Sequence, residues 1–113
     1  MVKTVLLLAA ILAFTVSVSL AAGSVSKGKA LFNDPKFAGA TSGDSCDSCH
    51  PGGSGLEHAG NKKEFNISGK VQKSLEEAVN ACIVDAIKGK ALDPKSAPMQ
   101  DIVAYIKSLK SKN

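Results

Sequence analysis

The 113-residue chain carries 14 basic residues against 10 acids, a formal net charge of +4, and all of the basic residues are lysine. Lysines interspersed with acids, and no arginine, leave nothing for bidentate contacts to phosphates or bases, which argues against a nucleic-acid partner. With no Trp, one Tyr and four Phe, the apolar content is thin for a small domain, a shortage that a large buried apolar cofactor would make good.

The chain opens with Lys3, the apolar run Val5 to Val18, and then Ser19-Leu20-Ala21, which sets small residues where a signal peptidase reads them. That order is the layout of a secretory leader, and the run falls short of the roughly 20 apolar residues needed to cross a bilayer. The expectation is a signal peptide at residues 1–21 and one domain at 22–113. The mature protein would then be exported to the periplasm or an equivalent extracytoplasmic compartment, with no membrane attachment after cleavage.

Along that domain, Ser24 or Ser26 can cap a short helix through Lys29, Ala30, Leu31 and Phe32, which Asn33-Asp34-Pro35 ends. Residues 37–44 are rich in Gly, Ala, Ser and Thr and read as a loop, and the three glycines between Pro51 and Gly55 require irregular backbone. From Leu56 to Gln72 the pattern is weak, with Phe65 and Ile67 its only strong anchors. Ser74 with Glu77 is a capping box for a helix from Leu75 to about Lys88, stopped at Gly89. Its apolar face is Leu75, Val79, Cys82, Ile83 and Ala86. After a turn at residues 91–95, Ser96 caps a last helix with Pro98 near its first position and Met99, Ile102, Val103, Ile106 and Leu109 in its stripe, to about Lys110. No run alternates as a strand, and the predicted fold class is all-α.

The chemistry concentrates in Cys46-Asp47-Ser48-Cys49-His50. Two thiols at this spacing can add to the two vinyl groups of one haem, and the adjacent imidazole can reach the iron. A thioredoxin-like site would need a preceding strand in a βαβ setting, and a zinc site would need a second ligand pair where only Cys82 and His58 remain. One covalently bound haem c is therefore expected, attached at Cys46 and Cys49 with His50 as an iron ligand. Cys82 is the odd thiol left over.

Gly28-Lys29-Ala30-Leu31-Phe32 resembles the N-terminal helix of the small class I cytochromes c, and Ile102-Val103-Ala104-Tyr105-Ile106 resembles their C-terminal helix. The resemblance implies three to five helices around the haem, with those two crossing near Phe32 and Tyr105. A narrower block, Leu75 to Cys82, then Gly89-Lys90-Ala91-Leu92, then Ser96-Ala97-Pro98-Met99, is similar to SoxA and the thiosulfate dehydrogenases. There the cysteine matching Cys82 binds haem iron. The arginine usual before the Asn80 position is absent, Ala78 and Val79 standing there, and so is those enzymes' second haem. In size the chain looks like the subunits of the monohaem His/Cys purple cytochromes of the NaxLS type from anammox bacteria, which implies a heterodimer with a second monohaem cytochrome.

Three residues compete for the sixth coordination position. Met99 falls on the stripe of the last helix, where core packing is the stronger reading. His58 lies in a polar, Gly-flanked stretch. Periodicity leaves Cys82 open between a small core residue and a ligand, and the SoxA-type block favours the ligand. A thiolate would favour ferric iron and lower the reduction potential relative to a methionine. Its loss on reduction would open a place for nitric oxide or carbon monoxide. The expected function is electron transfer with a redox partner protein, binding of such a gas, or both. The alternatives are a His/Met carrier or a small subunit of a thiosulfate-oxidising system. Polar residues are too few and too scattered to assign a catalytic site.

Overall fold

The structure, a computed structural model, describes residues 23–110; the leader expected at residues 1–21 lies outside them. Four helices carry the fold: α1 (Val25–Phe32), the one-turn α2 (Cys46–Cys49), α3 (Leu75–Asp85) and α4 (Ala97–Ser108). Short 3₁₀ turns at Phe37–Gly39, Pro51–Gly53 and Ala59–Asn61 join them, together with one hairpin, β1 (Phe65–Ile67) and β2 (Lys70–Gln72).

Each long helix begins where a hydroxyl satisfies an otherwise unpaired amide. Ser24 Oγ accepts from Lys27 N at 3.2 Å, Ser74 Oγ from Glu77 N at 3.1 Å and Ser96 Oγ from Met99 N at 3.4 Å. At α3, Glu77 folds back to accept from Lys73 N at 2.9 Å, one residue earlier than the usual reciprocal box.

The helices α1 and α4 cross tightly. A Cβ on buried Gly28 would overlap the Asp101 carbonyl oxygen and stand 2.8 Å from Tyr105 Cβ, so only glycine fits. At the same crossing Asp101 Oδ1 accepts from Ser24 N at 2.7 Å. Phe32 meets Tyr105 edge to face with centroids 5.1 Å apart and 61° between the rings, a geometry that contributes about 0.5–1.5 kcal/mol beyond area burial. The core continues through Met99, Ile102, Val103 and Ile106 of α4 and through Ala78, Val79 and Ile83 of α3.

Two features differ from the expectations drawn from sequence. Helix α3 stops at Asp85, short of the expected Lys88. Its last turn widens: the Cys82 carbonyl accepts from Ala86 N at 2.9 Å and from Ile87 N at 3.3 Å. The left-handed residue beyond the helix is Lys88, at φ +57°, and not Gly89. Gly89 is needed for contact instead, since a Cβ there would lie 2.9 Å from the Ala38 carbonyl oxygen and 3.0 Å from Ile83 Cγ2. The chain after α3 is then clasped to the helix by Asn80, which donates to Leu92 O and accepts from Leu92 N, both at 2.8 Å.

The hairpin is the second difference. Its three-residue strands pair Phe65 with Gln72, Asn66 with Val71 and Ile67 with Lys70. Ser68 and Gly69, both at positive φ (+52° and +79°), make the two-residue turn whose twist matches antiparallel strands. Strands this short cannot display an alternating pattern. The Ser-Gly dipeptide flanked by Ile67 and Lys70 was the available signal.

Replacing Gly28 by Ala should destabilise the holoprotein by about 1–3 kcal/mol through overpacking of the crossing. The guanidinium unfolding midpoint checks this, and an unchanged midpoint would contradict the tight crossing.

Candidate haem site

The short helix α2 is shaped by both residues inside the Cys-x-x-Cys motif. Ser48 Oγ accepts from Ser45 N at 3.0 Å and closes its first turn. Asp47 Oδ1 reaches past the helix to accept from Gly52 N at 2.8 Å. His50 caps the helix, with its amide on the Cys46 carbonyl at 3.0 Å, and leaves it at φ −127°, ψ 69°. The following turn closes through Gly53 N on His50 O at 2.8 Å and Ser54 N on Pro51 O at 3.0 Å. This folding brings the Ser54 carbonyl oxygen 2.9 Å from His50 Nδ1.

A carbonyl oxygen can only accept, so the proton of a neutral His50 resides on Nδ1 and Nε2 keeps its lone pair. Held this way, an imidazole is oriented for a metal and made more basic toward it. Two glycines allow the geometry. Gly53, at φ +81°, lies under Leu109, whose Cδ1 would be 2.5 Å from any Cβ there. At Gly55, φ +86°, a Cβ would stand 3.7 Å from Nδ1.

His50 and Cys46 border a cavity of about 140 Å³. Hydrocarbon side chains make most of its wall: Phe32, Ile102 and Ile106 from the α1/α4 pair, Ala78 and Val79 from α3, Phe65 and Ile67 from β1, with Leu56 and Ala59. The third sulfur or nitrogen side chain lining it is Cys82 of α3. Cys49, one helical turn from Cys46, is exposed and does not line the cavity. Of the other candidate ligands, Met99 is fully buried in the α4 core and His58 is exposed at the start of the Ala59–Asn61 turn. Neither lines the cavity.

The electrostatics follow from burial. The Cys46 thiol is pushed from its ordinary value of 9.0 up to about 11, chiefly by desolvation and next by the negative charge Cys82 would carry. Desolvation also raises Cys82, followed by the Asp85 carboxylate and by Cys49. Both thiols stay protonated near neutral pH, and an anionic sulfur in this apolar setting requires a cation or a covalent partner.

An apolar cavity bordered by Cys46, by an imidazole whose Nε2 is free and by the Cys82 sulfur, with Cys49 one helical turn from Cys46, suits a flat apolar macrocycle with a metal at its centre. No buried side-chain nitrogen or oxygen among the described residues lacks a partner, so the wall demands no polar ligand. Fold and site together define a small c-type cytochrome. A family model for the SoxA/TsdA cytochrome c domain matches residues 27–112, and the chain belongs to that family. Its domain carries covalently bound haem c, which the spacing of Cys46 and Cys49 fits, and serves electron transfer. The crystal structure of SoxXA from P. pantotrophus is similar at a TM-score of 0.57 and 25% identity, covering 73% of this chain. The chain spans only 30% of that structure's chain. Among curated proteins no match was found.

Two measurements check this site. Haem should resist acidified-acetone extraction in the wild type and become extractable in the Cys46→Ser/Cys49→Ser double variant; retention there would sink the attachment. In haem-free protein, iodoacetamide should label exposed Cys49 ahead of Cys46 and Cys82 near neutral pH, the lag closing as pH rises toward about 11. Because the folded state holds the Cys46 proton more tightly than the unfolded chain, the stability this thiol contributes is complete below about 9 and is lost on the way up to about 11. Equal labelling rates at neutral pH would contradict the burial.

Proposed function

We propose that this cytochrome is a low-potential, one-electron carrier whose iron is bound by His50 and Cys82. The observation that carries the reading is that Cys82, on α3, and His50, at the end of α2, line one apolar cavity while Met99 and His58 do not. When bound, haem supplies a one-electron iron couple. The protein's part is to hold Nε2 of His50 free by the Ser54 hydrogen bond, to exclude water with Phe32, Phe65, Ile102 and Ile106, and to offer the Cys82 sulfur. A thiolate ligand stabilises the more positive metal charge and so lowers the reduction potential relative to a thioether.

We further propose an extracytoplasmic setting and a partner cytochrome subunit. The leader-like residues 1–21 support the first. No helix among the described residues is long and apolar enough to cross a membrane. The likeness to SoxXA supports the second. Occupation of the Cys82 side by nitric oxide or carbon monoxide in the reduced protein belongs to the same proposal, since the wall there is hydrocarbon and a small neutral gas needs no polar partner.

Electron paramagnetic resonance of the ferric holoprotein should show a low-spin thiolate signal that disappears in Cys82→Ala, with the potential of Cys82→Met moving upward. A wild-type spectrum lacking that signal removes the axial assignment. Carbon monoxide added to the reduced protein should shift the Soret band, and an unmoved band ends the gas reading alone.

A further inference from the structure

The hairpin carries a sequence pattern that the haem site does not use. Glu64-Phe65-Asn66-Ile67-Ser68 contains Asn-x-Ser with no proline between, the acceptor pattern for N-linked glycosylation in exposed parts of exported proteins. Its place in the fold suits such an acceptor. Neighbouring residues in a strand face opposite ways. Phe65 and Ile67 of β1 line the cavity, so Asn66 between them turns outward, and it is exposed. Ser68, also exposed, opens the two-residue turn at φ +52°. Glu64, exposed as well, sets a carboxylate two residues before the asparagine, the extended form that bacterial transferases read. Directly across the hairpin stands Val71, the strand partner of Asn66. It is 58% exposed, more than any other large apolar side chain among the described residues. Side chains paired in this way lie about 5 Å apart, within reach of a first sugar on Asn66.

We propose that Asn66 is an N-glycosylation acceptor, with Glu64 and Ser68 as its recognition residues and Val71 as the apolar surface that the attached sugar covers. The donor is a lipid-pyrophosphate-linked oligosaccharide. A bond forms between Asn66 Nδ2 and C1 of the sugar, and the bond from C1 to the pyrophosphate oxygen breaks. One amide proton is given up with the released lipid pyrophosphate, and nothing is oxidised or reduced. Strands of three residues in a lone hairpin are marginal by themselves, so the segment can lift to meet a transferase while the helices stay folded. The sugar points away from the cavity and leaves the haem's surroundings as they are. The inference rests on the extracytoplasmic setting proposed above and is independent of the Cys82 assignment.

The test is the intact mass of the holoprotein purified from the cells that make it, together with its tryptic peptide Glu64–Lys70, which cleavage after Lys63 and Lys70 releases. The expected mass exceeds that of residues 22–113 plus one haem by at least one saccharide, all of it on that peptide. Expressed in the same cells, Asn66→Gln should lose the whole increment. Ser68→Gly should lose it too, since it removes the hydroxyl while suiting the left-handed turn better than serine does. An unshifted Soret band in both variants confirms that the haem domain is intact. A mass equal to residues 22–113 plus one haem would overturn the proposal, as would an increment that survives Asn66→Gln. A chain still carrying residues 1–21 would overturn it by another route, the failure of export, and the same mass spectrum tells the two apart.

Discussion

The crossing of α1 over α4 is the constraint from which the site is built. Because Gly28 has no side chain, the two backbones approach closely enough for Phe32 to lodge against Tyr105. The same approach turns Phe32, Ile102 and Ile106 toward one apolar space. The α2 segment and the hairpin have too few residues to form a core of their own, and short elements are marginal without tertiary packing. They take their places by covering what the helix pair exposes. Cys46 and Leu56 pack on this core from one part of the chain, Phe65 and Ile67 from another.

Within that space, proton positions and charges are set by separate means. The imidazole is controlled by a hydrogen bond made within four residues of sequence, to the Ser54 carbonyl just beyond the attachment motif. The Cys82 sulfur is controlled by long-range packing. It rides on α3, whose start is held by Ser74 and whose end is held by the Asn80 clasp on Leu92. The imidazole is thus positioned locally, while the sulfur depends on the whole domain being folded.

This division explains what could be read from the residues alone. Helix starts were legible because Ser24, Ser74 and Ser96 announce themselves through short-range chemistry, and the attachment motif is itself a local pattern. The end of α3 was not legible. Gly89 is required by its contact with Ala38, a residue far away in sequence, and the left-handed turn falls on Lys88, a residue type that gives no warning. The hairpin hid for a different reason: three residues per strand are too few for periodicity, leaving only Ser68-Gly69 as a trace. Asp47 and Ser48 occupy the motif's variable positions, and their hydrogen bonds emerge only once the chain has folded Gly52 and Ser45 toward them.

The acceptor that governs His50 is a main-chain oxygen, and this has a genetic consequence. Any residue installed at position 54 still presents a carbonyl, so no side-chain replacement there deletes the bond directly. Adjustment of the imidazole's donor strength must instead come through the path of the backbone, at Gly53 and Gly55, where left-handed φ values leave little freedom for another residue. If His50 and Cys82 hold the iron as proposed, a lineage that needed a differently poised metal would find the imidazole hard to retune in a single step, and position 82, whose side chain lines the cavity wall, far easier.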